Sequence, residues 1–347
     1  MMRLRLILAW TIWIVLCTAV VLAQPVPVTR VEAVGLTVSD MDRSVEFYVG
    51  VLHFRKLSDV ELSGSQIEHL KGLFGIRVRI VQLQLGDEIL ELSEYLAPTG
   101  RPLPVDSRSN DLRFQHVAIV VSDMDQAYAW LRQNRVRYVS SGPQTLPSWN
   151  RQASGIQAFY FHDPDDHVLE VIHFPARKGD PRWQHNNGDL FLGIDHTAIA
   201  VSNTDASLRF YRDVLGMKIA GASENYGDEQ EHLNNVFGAH LKVTSLRAPS
   251  GAGIELLEYL APRSGRPIPE DLKANDIAHW ETVIESPDMD AAWAYFSKTH
   301  TRLISSGVGD VQLSSGSRKG FLLEDPDGHV LTAMNELSSG KASAQGR

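Results

Sequence analysis

The chain repeats itself, and this duplication limits its possible folds more than any other feature. Val31 to Leu52 reads VEAVGLTVSDMDRSVEFYVGVL, and Ile194 to Leu215 reads IDHTAIAVSNTDASLRFYRDVL, at an offset of 163 residues. The same offset aligns Glu68-His69-Leu70 with Glu231-His232-Leu233 and Phe74-Gly75 with Phe237-Gly238. One inserted residue later, Leu92 to Pro98 matches Leu256 to Pro262, Gly100-Arg101-Pro102 matches Gly265-Arg266-Pro267, and Asn110-Asp111 matches Asn275-Asp276. The halves also end alike, in FHDPDDHVLEVI (Phe161 to Ile172) and LEDPDGHVLTAM (Leu323 to Met334).

Each half divides again. Quarters open near Val31, Phe114, Ile194 and His279 with a short alternating strand, an acidic turn and an amphipathic helix. The turns (Ser39-Asp40-Met41-Asp42, Ser122-Asp123-Met124-Asp125, Ser202-Asn203-Thr204-Asp205 and Pro287-Asp288-Met289-Asp290) put a short polar side chain where a helix N-cap belongs. Further strand-like runs follow, ending in LELSEYL, LEVIHF, IELLEYL and LTAMNE. The unit is therefore βαβββ, used four times. Half-buried strands of this kind read as an α+β fold of open sheets with helices on their outer face.

Four such modules, the FYxxxLG helix end at Phe210-Tyr211 to Leu215-Gly216 and the DPDGH strand start resemble the vicinal oxygen chelate superfamily. This is the glyoxalase, bleomycin-resistance and extradiol-dioxygenase group. The resemblance covers about residues 31–336. It implies four βαβββ modules paired into two open, curled mixed β-sheets, each able to surround one divalent metal. Residues 31–176 and 191–336 would be two domains of two modules each, joined by a polar linker at 177–190 and followed by a disordered tail at 337–347.

In that family a module supplies one metal ligand from its first strand and one from its last. Carried over, the positions are Ala33 and Glu91 in the first module, His116 and Glu170 in the second, and His196 and Glu255 in the third. In the fourth they are Glu281, or His279 after a two-residue shift, and Thr332. Pairing second with third leaves one complete set, His116, Glu170, His196 and Glu255, and one ruined set. Pairing first with second and third with fourth leaves each site short of a ligand, so the first arrangement is favoured. Strand alternation supports it, because His196, Ala198 and Ala200 share one face while Thr197, Ile199 and Val201 share the other.

Two imidazoles and two carboxylates suit one divalent ion such as Zn²⁺, Ni²⁺, Co²⁺, Mn²⁺ or Fe²⁺ better than Ca²⁺ or Mg²⁺. The resemblance then implies a glyoxalase I-like lyase or isomerase, with Glu170 or Glu255 as the catalytic carboxylate that moves a proton on a small-molecule substrate. A ring-cleaving dioxygenase fits less well, because Thr332 stands where a last-strand Glu would be needed. A non-catalytic binding protein is the other alternative. Trp149, Asn150 and Arg151 in the second module, and Asn225 and Tyr226 in the third, are candidate substrate contacts or simply covers for the barrel edge. The repeated Gly-Arg-Pro segments read as linker structure.

Composition closes several routes. A net charge of −9 and a pI near 5.8 leave no basic surplus for nucleic acid. Arg3 and Arg5 precede an apolar run from Leu6 to Ala23 that ends Val21-Leu22-Ala23, which reads as a secretory signal peptide at residues 1–23. An uncleaved membrane anchor is the alternative. Cleavage would make the chain periplasmic or secreted and remove Cys17, its one cysteine, leaving no disulfide or thiolate site. The mature chain is expected to be a monomer or homodimer without stable membrane insertion.

Overall fold

The computed structural model describes residues 26–185, 188–313 and 316–335. The apolar segment 1–23 and the tail 337–347 lie outside these. The first module contains β1 (Arg30–Thr37), α1 (Met41–Gly50), β2 (Arg55–Ser63), α2 (Ser65–Lys71), β3 (Arg77–Leu85) and β4 (Glu88–Ala97). The second has β5 (Gln115–Val121), α3 (Met124–Gln133), the short β6 (Arg137–Tyr138) and β7 (Gln144–Thr145), β8 (Gln157–His162) and β9 (Val168–His173). The third has β10 (Phe191–Ala200), α4 (Thr204–Leu208), β11 (Lys218–Tyr226), α5 (Asp228–Asn234), β12 (His240–Arg247), β13 (Ser250–Gly251) and β14 (Gly253–Ala261). The fourth has β15 (Trp280–Glu285), α6 (Met289–Phe296), β16 (Gly309–Leu313), β17 (Gly316–Glu324) and β18 (Val330–Met334).

The first helix of each module, α1, α3, α4 and α6, follows an acidic turn. Asp40, Asp123, Asn203 and Asp288 each accept a hydrogen bond from the backbone N–H three residues on. Helices this short are marginal alone, so packing must hold them. One core joins Met41, Tyr48 and Leu52, Met124 and Leu131, Tyr211 and Phe296 to strand residues from both sheets. The first helix of each module (α1, α3, α4 and α6) thus lies on the convex side of its sheet and between the two sheets, whereas α2 and α5 pack through Ile67, Leu70 and Leu233 against the opposite face. Ala33, Val283 and Leu322 line the opposite face of one sheet, and Ala198, Ala200 and Leu257 that of the other. The predicted alternation along β10 holds, with Ile199 and Val201 in the helix-side core.

The two sheets run β16-β17-β18-β15-β1-β4-β3-β2 and β11-β12-β14-β10-β5-β9-β8-β6. At the centre of each, two first strands meet antiparallel: β1 with β15, and β10 with β5. First module therefore joins fourth, and second joins third. The sequence halves 31–176 and 191–336 are units of duplication, and each contributes one module to each sheet. Register settles the uncertain position. His196 lies opposite Ala118 and Ala198 opposite His116, just as Ala33 lies opposite Val283 and Gly35 opposite Glu281. Glu281 therefore holds the position equivalent to His116, and His279 falls just before β15.

Two kinds of contact tie the modules together. Within a half, Tyr48 OH donates to Asp163 at 3.0 Å, and Tyr211 OH donates to Asp325 at 3.0 Å. Between halves, the Gly-Arg-Pro segments form reciprocal clamps. Arg101 bonds Asp276 and Asp271, while Arg266 bonds Asp111 and Asp106. The glycines permit this approach: a Cβ on Gly100 would lie 1.9 Å from Asn275 O, and one on Gly265 would lie 1.8 Å from Asn110 O. The linker is more than a connector, because a 3₁₀ turn at Pro181–Gln184 buries Trp183.

Candidate metal centre

Four adjacent strands of the second-and-third-module sheet bring the predicted ligands together. His116 sits on β5, Glu170 on β9, His196 on β10 and Glu255 on β14. Parallel pairing sets Ala118 beside Glu170 and Ala198 beside Glu255, so all four side chains share the concave face. His116 Nε2 lies 3.0 Å from Glu170 Oε2, and His196 Nε2 lies 3.7 Å from the same oxygen. Ligand atoms of His116, Glu170 and His196 all fall within 4.8 Å of one another. Glu255 Oε2 lies 3.5 Å from His196 Nε2, while its Oε1 accepts from Ser245 Oγ at 2.5 Å.

The donor set fits a divalent ion. The Asp195 carboxylate accepts from His196 Nδ1 at 2.9 Å, which leaves Nε2 to face the cluster. That Nε2 is buried without a hydrogen-bond partner. Burial opposes charge on His196, but Glu255, Asp195 and Glu170 push its pKa up to about 9. Three carboxylates around one imidazole form a site that holds positive charge in a buried place. Burial likewise opposes ionisation of Asp195, yet His196 and Arg247 hold its carboxyl well below the usual range. Tyr160 packs 4.8 Å from the His116 ring and is kept a neutral phenol by burial and by the Glu170 carboxylate.

Several supporting residues escaped the sequence reading. Asp195 precedes His196 and accepts from Trp183 Nε1 at 2.8 Å and from Arg247 at 2.7 Å. Adjacency to a candidate ligand is its only sequence signal, and Trp183 and Arg247 have none. The cluster opens into a cavity of about 1110 Å³, whose walls include Gln230, Asn225, Ser223 and Leu241. Gln230 Oε1 is buried there without a partner.

The proposed substrate contacts divide. Asn150 Nδ2 donates to Asn225 Oδ1 at 2.6 Å, and Asn225 reaches the cavity. Trp149 and Tyr226 stack on each other at 4.3 Å and remain 47% and 46% exposed. They join the β7–β8 loop to edge strand β11, so they cover the barrel edge. Arg151 is exposed in that loop, and its carbonyl accepts from Lys178.

The first-and-fourth-module barrel is sealed. Lys71 Nζ lies 2.7 Å from both oxygens of Glu281, which also accepts from Thr332 Oγ1 at 2.7 Å and lies 3.0 Å from His279 Nε2. Glu91 accepts from Gln82 at 3.1 Å. An ammonium group thus satisfies the carboxylate that the missing ligands would have shared with a metal. About 40 Å³ of space remains there.

These features define a paired-module βαβββ protein with a candidate metal centre built across its duplication. The sequence model for the Glyoxalase/Bleomycin resistance protein/Dioxygenase superfamily matches residues 30–171 and 193–332, and the chain belongs to that superfamily. It is 33% identical over 172 residues to a 2-epi-5-epi-valiolone epimerase from Actinomyces sp., covering 46% of this chain and 87% of that protein. It is 30% identical over 112 residues to glyoxalase I of Saccharomyces cerevisiae, covering 32% of this chain and 31% of that one. Among solved structures, glyoxalase I from Zea mays superposes with a TM-score of 0.57 at 15% identity, over 88% of this chain and 92% of that one. A putative dioxygenase from Bacillus subtilis gives 0.55 at 13% identity, over 89% and 86%. These two likenesses establish the fold.

Proposed function

We propose that this chain is an exported, divalent-metal-dependent enzyme that moves a proton at a carbon beside a carbonyl, in a small substrate carrying vicinal oxygens. The reaction is of the isomerase or lyase type. The observation that carries this reading is the buried His116–Glu170–His196 cluster, with Glu255 beside it, at the wall of a cavity large enough for a small molecule. Relatives named as an epimerase and as glyoxalase I support the same class.

His116, Glu170, His196 and Glu255 would hold the ion, which when bound supplies Lewis-acid stabilisation of negative charge on substrate oxygens. The protein residues have separable tasks. Asp195 fixes the His196 tautomer. Glu255 is the more exposed carboxylate, 20% against 6% for Glu170, and Ser245 engages only one of its oxygens. Its other oxygen is therefore placed to accept a proton from substrate and return it. Glu170, held against His116, keeps the cluster together. Ala158, Leu241, Val243 and Leu257 give the chamber an apolar wall that limits water.

The test is exchange of carbon-bound hydrogen in D₂O, followed by NMR across a panel of hydroxyketones and cyclitol ketones. Metal-loaded protein should wash deuterium into the carbon beside the carbonyl, and Glu255→Gln should lose this activity. Absence of exchange across the panel, or full exchange by both Glu170→Gln and Glu255→Gln, would contradict the proposal. Export is tested by the mass of the mature chain from its native host: processing after Ala23 supports it, and an intact Met1 opposes it.

A further inference from the structure

A second cavity, of about 410 Å³, lies at the start of β5, away from the metal cluster. Its walls combine three guanidinium groups, Arg108, Arg113 and Arg137, with the rings of Phe114, Tyr138 and Trp280. The Arg113 side chain is only 10% exposed, and its Nε is buried without a partner. Its Nη2 donates to Ser107 Oγ at 3.2 Å and to Asp111 at 3.3 Å, a carboxylate that Arg266 also engages at 2.7 Å. Arg137 pairs with Asp166, the acidic side chain in the cavity wall. His162 adds no charge near neutral pH, because burial and the Arg137 charge push its pKa down to about 4. A desolvated arginine donor beside aromatic surface is a costly arrangement unless an anion completes it.

The duplication supplies an internal comparison. The fourth module has a cavity of about 530 Å³ at corresponding positions. There Glu324 replaces His162 and Glu270 replaces Val105, while Ala278, the repeat counterpart of Arg113, lines the second-module cavity itself. Its walls carry Glu270, Glu324, Asp325 and Asp327 beside Arg302. The scaffold is common to both cavities, so the basic character belongs to the second module's own residues.

We propose that the second-module cavity binds a small organic carboxylate with an apolar body. The carboxylate meets Arg113 and Arg137, and the body lies against Phe114 and Trp280. Inorganic phosphate would leave these rings uncovered, which is why the occupant is assigned as a carboxylate. Phe114 packs 5.5 Å from the His116 ring, so the occupant lies behind the metal cluster without joining it.

Benzoate is the probe, titrated into the full chain by isothermal calorimetry beside neutral benzamide and inorganic phosphate. Benzoate should bind saturably at one site and more tightly than either comparison compound. Arg113→Met should weaken benzoate about tenfold or more, as expected for loss of a charged hydrogen bond. Arg137→Met, on the exposed side, should also weaken it, and Arg302→Met in the acidic cavity should leave it unchanged. Should Arg113→Met fail to fold, Arg137→Met decides the matter. Absence of saturable binding, equal binding of benzamide, tighter binding of phosphate, or unchanged affinity in the folded arginine variants would each overturn the proposal.

Discussion

Lys71 and Asn234 occupy the same position of the repeat, and they separate the two barrels. Asn234 donates to Tyr259 OH at 2.5 Å and leaves its barrel open, whereas Lys71 reaches into the other and neutralises Glu281. Burial would lower the Lys71 pKa, but Glu281 holds it above its usual value, so the pair stays ionised. Lys71→Met should therefore strand a buried carboxylate and cost about 3–5 kcal/mol. The double variant Lys71→Met/Glu281→Leu should recover most of that loss. Urea unfolding checks both, and a single variant as stable as wild type would refute the internal ion pair. Asp195→Asn should preserve the fold while weakening metal affinity about tenfold to a hundredfold, measured by competition with a chelator. The convergence of His116, Glu170, His196 and Glu255 was legible in the sequence because the repeat aligns them with a fold template. Lys71, Trp183 and Asp195 were not, because their roles depend on contacts that no local spacing records.

The helix caps were legible for the opposite reason. An Asp or Asn cap acts on an N–H three residues away, so the signal is wholly local. The DPD turns are only half local. Asp163 bonds His167 Nδ1 at 2.9 Å, as spacing allows, but also Tyr48 from another module. Burial opposes ionisation of Asp163, yet His167 holds its pKa below the usual range; burial also opposes charge on His167, yet Asp163 raises it. Asp325 and His329 repeat the arrangement. A depressed carboxyl contributes stability present above its unfolded pKa and lost as pH falls through the folded value. A raised imidazole contributes stability present below its unfolded pKa and lost as pH rises through the folded one. The pairs should therefore contribute most between about pH 4 and 6.5. Asp163→Asn/Asp325→Asn should lower the urea midpoint most in that window and flatten the profile on both sides. An unchanged profile would show that the pairs contribute nothing. The Gly-Arg-Pro clamps give a steric prediction: Gly265→Ala places a methyl against Asn110 O, so its melting temperature should fall well below wild type.

At the scale of the whole molecule, duplication and architecture do not coincide. Each half supplies one module to each barrel, so His116 and Glu170 come from one half and His196 and Glu255 from the other. The sequence favours this exchange, since one grouping keeps all four candidate ligands; only the antiparallel β5–β10 seam makes it physical. Residues 26–176 and 191–335 expressed separately should each bind no metal, and coexpression should restore binding. Metal retained by either half alone would contradict the shared centre. The sealed second barrel was not legible, because a sequence shows which ligands are missing but not what fills their place. The most direct measurement is metal content of the purified chain beside His116→Ala/His196→Ala. The wild-type chain should hold about one divalent transition metal, lost in the double variant while the fold persists. A chain that takes up no such metal on reconstitution with Zn²⁺, Ni²⁺, Mn²⁺ or Fe²⁺, or a double variant that keeps its metal, would contradict that expectation.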